Sequence, residues 1–183
     1  MGLKARIENV QLSQLKATGG HHMLKYTLCL IRNGDKILLL NREKPPQIGM
    51  WNGVGGKIEP GETTLESAIR ETFEETGIRL TDMLHAGNVL FTNESSRQGM
   101  YLFMADLPET QVLATPLGTR EGILDWKSID WILQKDNRGV AANLRAYLPS
   151  LLNGDLGLEH CIIYKNREIT EYTAAALSEA IQA

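Results

Sequence analysis

Apolar residues from Leu24 onward occur in short runs separated by turn-forming residues. Two β-favouring runs, 24–32 and 36–40, flank Asn33-Gly34-Asp35, and this arrangement predicts a hairpin. Prolines and glycines then indicate a loop before residue 57. Further strands are predicted at 78–92, 100–106, the beginning of 126–133, and 159–165. Residues 108–118 are predicted to form a loop, and residues 140–152 and 170–181 to form helices.

The strongest helix prediction covers residues 64–76. Thr63 is a favourable N-cap, and Glu66 three positions later completes a capping box. Gly77 is a favourable C-terminal stop. A mostly apolar face repeats at i, i+3, i+4, i+7 and i+8, which predicts packing against a core, and comprises Leu65, Ala68, Ile69, Thr72 and Phe73.

Strands and helices alternate without a regular βαβ rhythm, which favours an α+β fold with a mixed sheet. The length of 183 residues is typical of one domain. Residues 1–22 are interpreted as an appendage, because a Gly/His run followed by His22-Met23 is typical of a cloning junction. The alternative is a native arm, with Ile7, Val10 and Leu15 on one face. The folded domain is therefore expected to span residues 23–183.

Composition narrows the function classes. With 43% apolar and 22% charged residues, the chain is typical of a globular protein. A net charge of −3 argues against binding of a nucleic acid polymer, and no apolar run approaches the roughly 18 residues that a membrane span needs. No secretion signal pattern is present, so we expect a cytoplasmic protein. The two cysteines, Cys29 and Cys161, are expected to be buried free thiols.

The predicted helix carries acidic residues on a second face. Glu71 repels both Glu74 and Glu75 at i+3 and i+4, and each such pair costs about 0.2–0.5 kcal/mol. These residues also lie near the helix C-terminus, where the macrodipole disfavours anions. Arg70 offsets part of this cost. A Mg²⁺ ion would relieve the remainder, because it takes carboxylates together with substrate phosphates. The alternative is a solvated acidic face without function.

The residues before the helix favour the functional interpretation. Gly55-Gly56 allow a close approach of backbone to a ligand, and Glu62 closes the same loop. The full pattern is Gly56, five residues, Glu62, seven residues, Arg70-Glu71, two residues, Glu74-Glu75, one residue, Gly77-Ile78. This pattern resembles the Nudix hydrolase signature over its whole length. Thr72 is its softer position, because the family prefers a bulky aliphatic residue there.

The resemblance implies a mixed sheet sandwiched between helices and a Mg²⁺-dependent attack of water on a nucleoside-linked diphosphate, with Mn²⁺ as a substitute. It implies that Glu71, Glu74 and Glu75 bind the metal and supply the catalytic base. The choice of base among them stays open. It also implies that Arg70 orients the glutamates, that Glu62 assists at the loop–helix junction, and that Gly55 and Gly56 provide a further metal ligand.

The flanking residues resemble the oxidised-purine triphosphatases of the family. Trp51-Asn52-Gly53 and Tyr26-Thr27-Leu28 carry this similarity. On that resemblance Asn52 hydrogen-bonds the purine edge, since an amide offers both a donor and an acceptor. The other substrate-binding candidates are Thr27, Arg42, Lys57, Phe91, Asp136 and Asn137. Glu121 resembles an additional metal ligand. The alternatives are a loop-capping Asn, a solvated Arg, a core Phe and a loop carboxylate.

Three functions are consistent with these residues. The first is hydrolysis of 8-oxo-dGTP or a related purine nucleotide to the monophosphate and pyrophosphate. The second is the same chemistry on another nucleoside diphosphate derivative, such as a dinucleoside polyphosphate, a nucleotide sugar or an ordinary NTP. The third is a non-catalytic nucleotide-binding regulatory domain. The expected partner is a small-molecule nucleotide, and the expected state is a monomer or a homodimer.

Overall fold

A computed structural model of the 183-residue chain describes residues 24–45, 47–93, 96–108, 110–111 and 113–177. The appendage predicted for residues 1–22 lies outside this part. Within it, no helix combines the length and the apolar character that crossing a membrane requires.

The described part of the chain forms one mixed nine-stranded sheet and three helices. The strand order in the sheet is β6-β7-β2-β1-β5-β4-β8-β9, and β3 pairs with β2. The strands are β1 (Tyr26–Asn33), β2 (Lys36–Arg42), β3 (Trp51–Asn52), β4 (Leu84–Thr92), β5 (Arg97–Asp106), β6 (Leu117–Gly118), β7 (Gly122–Ser128), β8 (Leu158–Lys165) and β9 (Glu168–Ala176). The helices are α1 (Thr64–Thr76), α2 (Ile129–Ile132) and α3 (Ala142–Leu152).

Two strand pairs, β1–β5 and β4–β8, are parallel, and the other pairs are antiparallel. Two apolar cores cover the two faces of the sheet. Alternate residues of β1 and β2 enter each core, as the period of a strand requires. The α1 side includes Cys29, Ile31, Leu38, Leu40, Val54, Ala68 and Phe103. The side of α2 and α3 includes Leu28, Leu30, Ile37, Leu39, Ile132, Leu144 and Tyr147. The predicted α+β fold with a mixed sheet between helices is confirmed.

The predicted helix α1 has its expected ends. The Thr63 side chain accepts from the Glu66 N–H while the Glu66 carboxylate accepts from the Thr63 N–H, and Gly77 adopts the left-handed conformation at φ 75°. Its core-facing side matches the prediction except at Phe73, since Leu65 and Ile69 also pack against the α1-side core. Ser67, Ala68, Thr72 and Thr76 are buried. Phe73 is 39% exposed and is covered by the Arg79 guanidinium, 4.2 Å from its ring centre.

The prediction of a helix at 170–181 is wrong for residues 170–176, which belong to the edge strand β9. Three alanines, Ala174–Ala176, favour a helix in isolation. Antiparallel pairing with β8 overrides this preference, and Asn166 and Arg167, both at positive φ, form the turn that joins the two strands. Strand β4 also begins at Leu84 rather than at residue 78, and the predicted loop at 108–118 contains the short strand β6.

Candidate active site

The segment after β3 brings glycines directly beneath helix α1. The N–H of Thr27 donates to the Gly56 carbonyl at 2.8 Å, and the N–H of Cys29 donates to the Val54 carbonyl at 2.7 Å. Helix α1 packs against the adjoining strand β1, with the Cys29 thiol 3.6 Å from the Ala68 carbonyl oxygen. Burial raises the pKa of that thiol to about 12, so Cys29 is a core residue rather than a nucleophile.

Gly55 and Gly56 each lie against one glutamate of the helix. The Gly55 N–H donates to Glu75 Oε2 at 2.8 Å. A Cβ placed on Gly56 would lie 2.4 Å from the carboxyl carbon of Glu71, so only glycine leaves room for that carboxylate. A Cβ on Gly55 would lie 2.3 Å from the Thr27 carbonyl oxygen, and its φ of 139° also requires glycine. Both glycines thus position helix carboxylates against backbone.

Arg70 connects the remaining acidic residues. Its guanidinium binds Glu62 through two bonds of 2.6 and 3.0 Å, and donates to Glu71 at 2.9 Å and to Glu74 at 3.3 Å. A further bond of 3.1 Å reaches the Lys57 carbonyl oxygen. Glu62 also accepts from the Glu59 N–H at 2.9 Å. Arg70 therefore ties the loop to the helix and aligns the acidic face.

The carboxylates of this cluster titrate differently. The Arg70 hydrogen bonds lower the pKa of Glu62 to about 2. Desolvation, together with the like charges of Glu71 and Glu121, raises the pKa of Glu75 to about 7, against the opposing Gly55 hydrogen bond. Desolvation also raises the pKa of Glu71, with Arg70 opposing it. Glu75 is accordingly the carboxylate best matched to accept a proton near neutral pH.

Glu121 lies at the rim of the same cluster, where it acts on the pKa of Glu75 as a like charge. Its carboxylate forms an ion pair of 2.5 Å with Lys44, a residue that the sequence analysis did not single out. Its carbonyl oxygen accepts from the Glu43 N–H at 2.9 Å. Arg42 attracts the Glu75 carboxylate, and its own Nε is buried with no hydrogen-bond partner in the described part of the chain.

Three predicted substrate residues share the α1 face of the sheet with Glu75. Thr27 lies two residues before the α1-side Cys29 and therefore on the same face by strand alternation, and Arg42 and Asn52 lie on the side of Leu40. Thr27 and Asn52 are buried. Phe91 instead packs on the core of the α2 and α3 side, so the structure does not bring it together with Thr27.

The other predicted substrate-binding residues do not lie together with these three. Lys57 has an exposed side chain, and its carbonyl oxygen is the group that contacts Arg70. Asn137 caps its own loop, donating to Trp131 O at 2.8 Å and accepting from the Gly139 N–H at 3.1 Å. Asp136 is exposed in the same loop. That loop adjoins Trp51, whose N–H donates to Gly139 O at 2.8 Å.

Asn52 has local partners for its amide. Its Oδ1 accepts from the Gly53 N–H at 2.9 Å, and its Nδ2 donates to Gln47 Oε1 at 2.9 Å. Gln47 is not among the residues predicted from the sequence. The sequence feature that could have indicated Gln47 is its place in the loop that leads to the Trp51-Asn52-Gly53 segment.

The donor set of the cluster suits a hard divalent cation, because it consists of carboxylate and carbonyl oxygens with an excess of negative charge. The raised pKa values of Glu71 and Glu75 mean that the neighbouring groups do not fully compensate the negative charges of these two carboxylates. Across the described residues, however, no three His, Cys, Asp or Glu side chains converge closely enough to hold an ion. Arg70 donates to one oxygen of Glu71 and one of Glu74, so the second oxygen of each carboxylate stays available to a cation.

Comparisons with known proteins identify the family of the chain. The oxidized purine nucleoside triphosphate hydrolase of Mus musculus is 33% identical over 109 residues, which cover 58% of this chain and 67% of the relative. The CTP pyrophosphohydrolase of Escherichia coli is 38% identical over 60 residues, covering 32% and 44%. A crystal structure of a MutT protein from Bacillus halodurans has a TM-score of 0.67 and 28% identity over 83% of this chain and 97% of that chain. The family model of the NUDIX domain matches residues 23–148, more than half of the sequence, and the chain therefore belongs to the Nudix hydrolase family.

Proposed function

We propose that this protein hydrolyses 8-oxo-dGTP, or a related purine nucleoside triphosphate, to the monophosphate and pyrophosphate by attack of water at phosphorus. The Glu75 carboxylate carries the proposal. It is held 2.8 Å from the Gly55 N–H, lies beside a second glutamate, and has a pKa of about 7. A carboxylate with these properties accepts a proton from water at neutral pH more readily than an exposed one.

Mg²⁺, or Mn²⁺ in its place, would be held by Glu71, Glu74 and Glu75, with Glu121 and the carbonyl oxygen of Gly55 or Gly56 as further ligands. Gly55 is the better carbonyl candidate, because the Gly56 oxygen already accepts from the Thr27 N–H. When bound, the ion neutralises phosphate charge and lowers the pKa of a bound water.

The residues around the glutamates have separate tasks in this proposal. Glu75 takes the proton of the attacking water. Arg70 is a positioning residue, because it fixes the helix carboxylates and the Glu62 loop without itself facing the reaction. The unpartnered Nε of Arg42 provides a hydrogen-bond donor for the substrate on the same face as Glu75.

The preference for a purine rests on Asn52, Thr27 and Arg42, which share one face of the sheet, and on the similarity to the Mus musculus hydrolase over 67% of that protein's length. The similarity to a CTP pyrophosphohydrolase supports a second candidate, the same chemistry on an ordinary nucleoside triphosphate.

The ratio of kcat/KM for 8-oxo-dGTP over dGTP in Mg²⁺, with the phosphate product identified, separates the two candidates. A ratio above about 100, equivalent to about 2.7 kcal/mol, together with released pyrophosphate supports the oxidised-purine function. A ratio near one supports the broader substrate class. Absence of turnover for every nucleoside diphosphate derivative would contradict both and favour a non-catalytic domain.

A further inference from the structure

The amide of Asn52 is paired in a way that assigns the orientation of its neighbour. A backbone N–H can only donate, so the atom of Asn52 that faces Gly53 must be the oxygen. The amide nitrogen of Asn52 then faces Gln47, and Gln47 must accept through its own oxygen at 2.9 Å. The Gln47 NH₂ group is thereby left as a donor, and no acceptor among the described residues binds it.

The loop that carries Gln47 is closed by backbone hydrogen bonds. The Met50 N–H donates to the Gln47 carbonyl at 3.1 Å, and the Gly49 N–H donates to the Arg42 carbonyl at 2.7 Å. The Asn41 side chain also donates to the Gly49 carbonyl at 2.9 Å. These hydrogen bonds fix the backbone of the loop. The half-buried side chain of Gln47 therefore has a defined position next to the buried Asn52.

We infer that Gln47 is a specificity-determining residue whose NH₂, oriented by Asn52, donates to a ring carbonyl of the nucleotide base. The inference rests on the proposed function and adds a substrate class to it. A guanine-type base presents O6 as an acceptor, whereas adenine presents an N6 amino donor in the corresponding position. Because the Gln47 NH₂ group can only donate, it favours oxopurines and disfavours aminopurines. Two donors that face each other are both left without a hydrogen-bond acceptor.

The test compares Gln47→Glu with Gln47→Ala. Glutamate has the same size and retains the oxygen that accepts from Asn52, but it replaces the NH₂ donor by a second acceptor. The ratio of kcat/KM for dGTP over dATP should fall at least about tenfold in Gln47→Glu, equivalent to about 1.4 kcal/mol. The ratio of the dissociation constants of dGMP and dAMP, measured by calorimetry, should change by a similar factor. Gln47→Ala should give a smaller fall in both ratios.

Gln111→Glu is the matched control, because Gln111 is an exposed loop residue and the substitution makes the same change of charge. It should leave both ratios unchanged. Thermal unfolding of all variants separates a folding defect from a change of specificity. Unchanged ratios in both folded Gln47 variants would overturn the assignment while leaving the hydrolase function intact. A wild-type protein that hydrolyses no nucleotide would overturn the proposed function and this inference together.

Discussion

Replacing Gly56 by alanine should remove activity while leaving the fold intact. A Cβ at residue 56 would lie 2.4 Å from Glu71 Oε1, whereas ordinary contacts begin near 3.4 Å, so the carboxylate must move by about 1 Å. The moving atoms are the end of a flexible side chain, and Gly56 is not in the left-handed region. The free energy of unfolding should therefore change by less than about 1 kcal/mol. A displacement of about 1 Å in a catalytic group costs about 100-fold in rate.

Gly55→Ala is the informative counterpart, because its Cβ would lie 2.3 Å from a backbone oxygen of Thr27 at a φ of 139°. We expect it to destabilise the protein by about 1–3 kcal/mol from backbone strain alone. Both variants are assayed for kcat/KM in saturating Mg²⁺ and for thermal unfolding. If Gly56→Ala retains more than half of the wild-type kcat/KM, the position of the Glu71 carboxylate does not matter for the reaction. If it unfolds like Gly55→Ala, the contact is structural.

Four further outcomes are expected. Glu75→Gln should reduce turnover to less than about a tenth of the wild-type rate without unfolding the protein, since the amide cannot accept the proton; retention of a larger rate would contradict the assigned role. The pKa of Glu75 in the folded state, about 7, exceeds its ordinary value of 4.5, so between pH 4.5 and 7 the folded state binds more protons than the unfolded state. The Tm measured in EDTA should therefore decrease from pH 4.5 to 7 in the wild type, and should decrease less in Glu75→Gln. Mg²⁺ at about 100 times its Kd should stabilise the protein by about 2.7 kcal/mol, EDTA should abolish turnover, and Glu71→Gln should weaken the Tm response. Arg70→Lys should lower kcat/KM by about tenfold or more, because lysine cannot form the paired bonds to Glu62; an unchanged pH–rate profile with an unchanged rate would contradict the positioning role.

Local sequence determined which elements could be predicted. The capping box at Thr63, the stop at Gly77 and the Asn33-Gly34 turn each act within a few residues, so helix α1 and the first hairpin followed from the pattern. Strand β9 did not follow, because its Ala174–Ala176 segment prefers a helix until β8 supplies hydrogen-bond partners. The propensities of single residues do not predict pairing between segments that are distant in the sequence.

The same distinction applies to the site. The spacing of Glu71 and Glu75 predicts a shared helix face, and Gly55-Gly56 predicts close approach, so the acidic cluster could be proposed from the sequence alone. The separation of Thr27 from Phe91 depends on the register of β1, β5 and β4, which the sequence does not encode locally. The Gln47 contact with Asn52 depends on how a loop closes, and no periodicity signals it.

The unfavourable charges of helix α1 have a consistent physical explanation. A helix selected only for stability would not place Glu71 and Glu75 near its C-terminus, half-buried and four residues apart. Here Arg70 neutralises Glu71 and the Gly55 N–H solvates Glu75, so the folded chain tolerates both carboxylates before any ligand binds. Neither partner saturates them, as the raised pKa values of both show. The remaining unfavourable charge favours binding of a cation and uptake of a proton, and both are what hydrolysis of a phosphoanhydride requires.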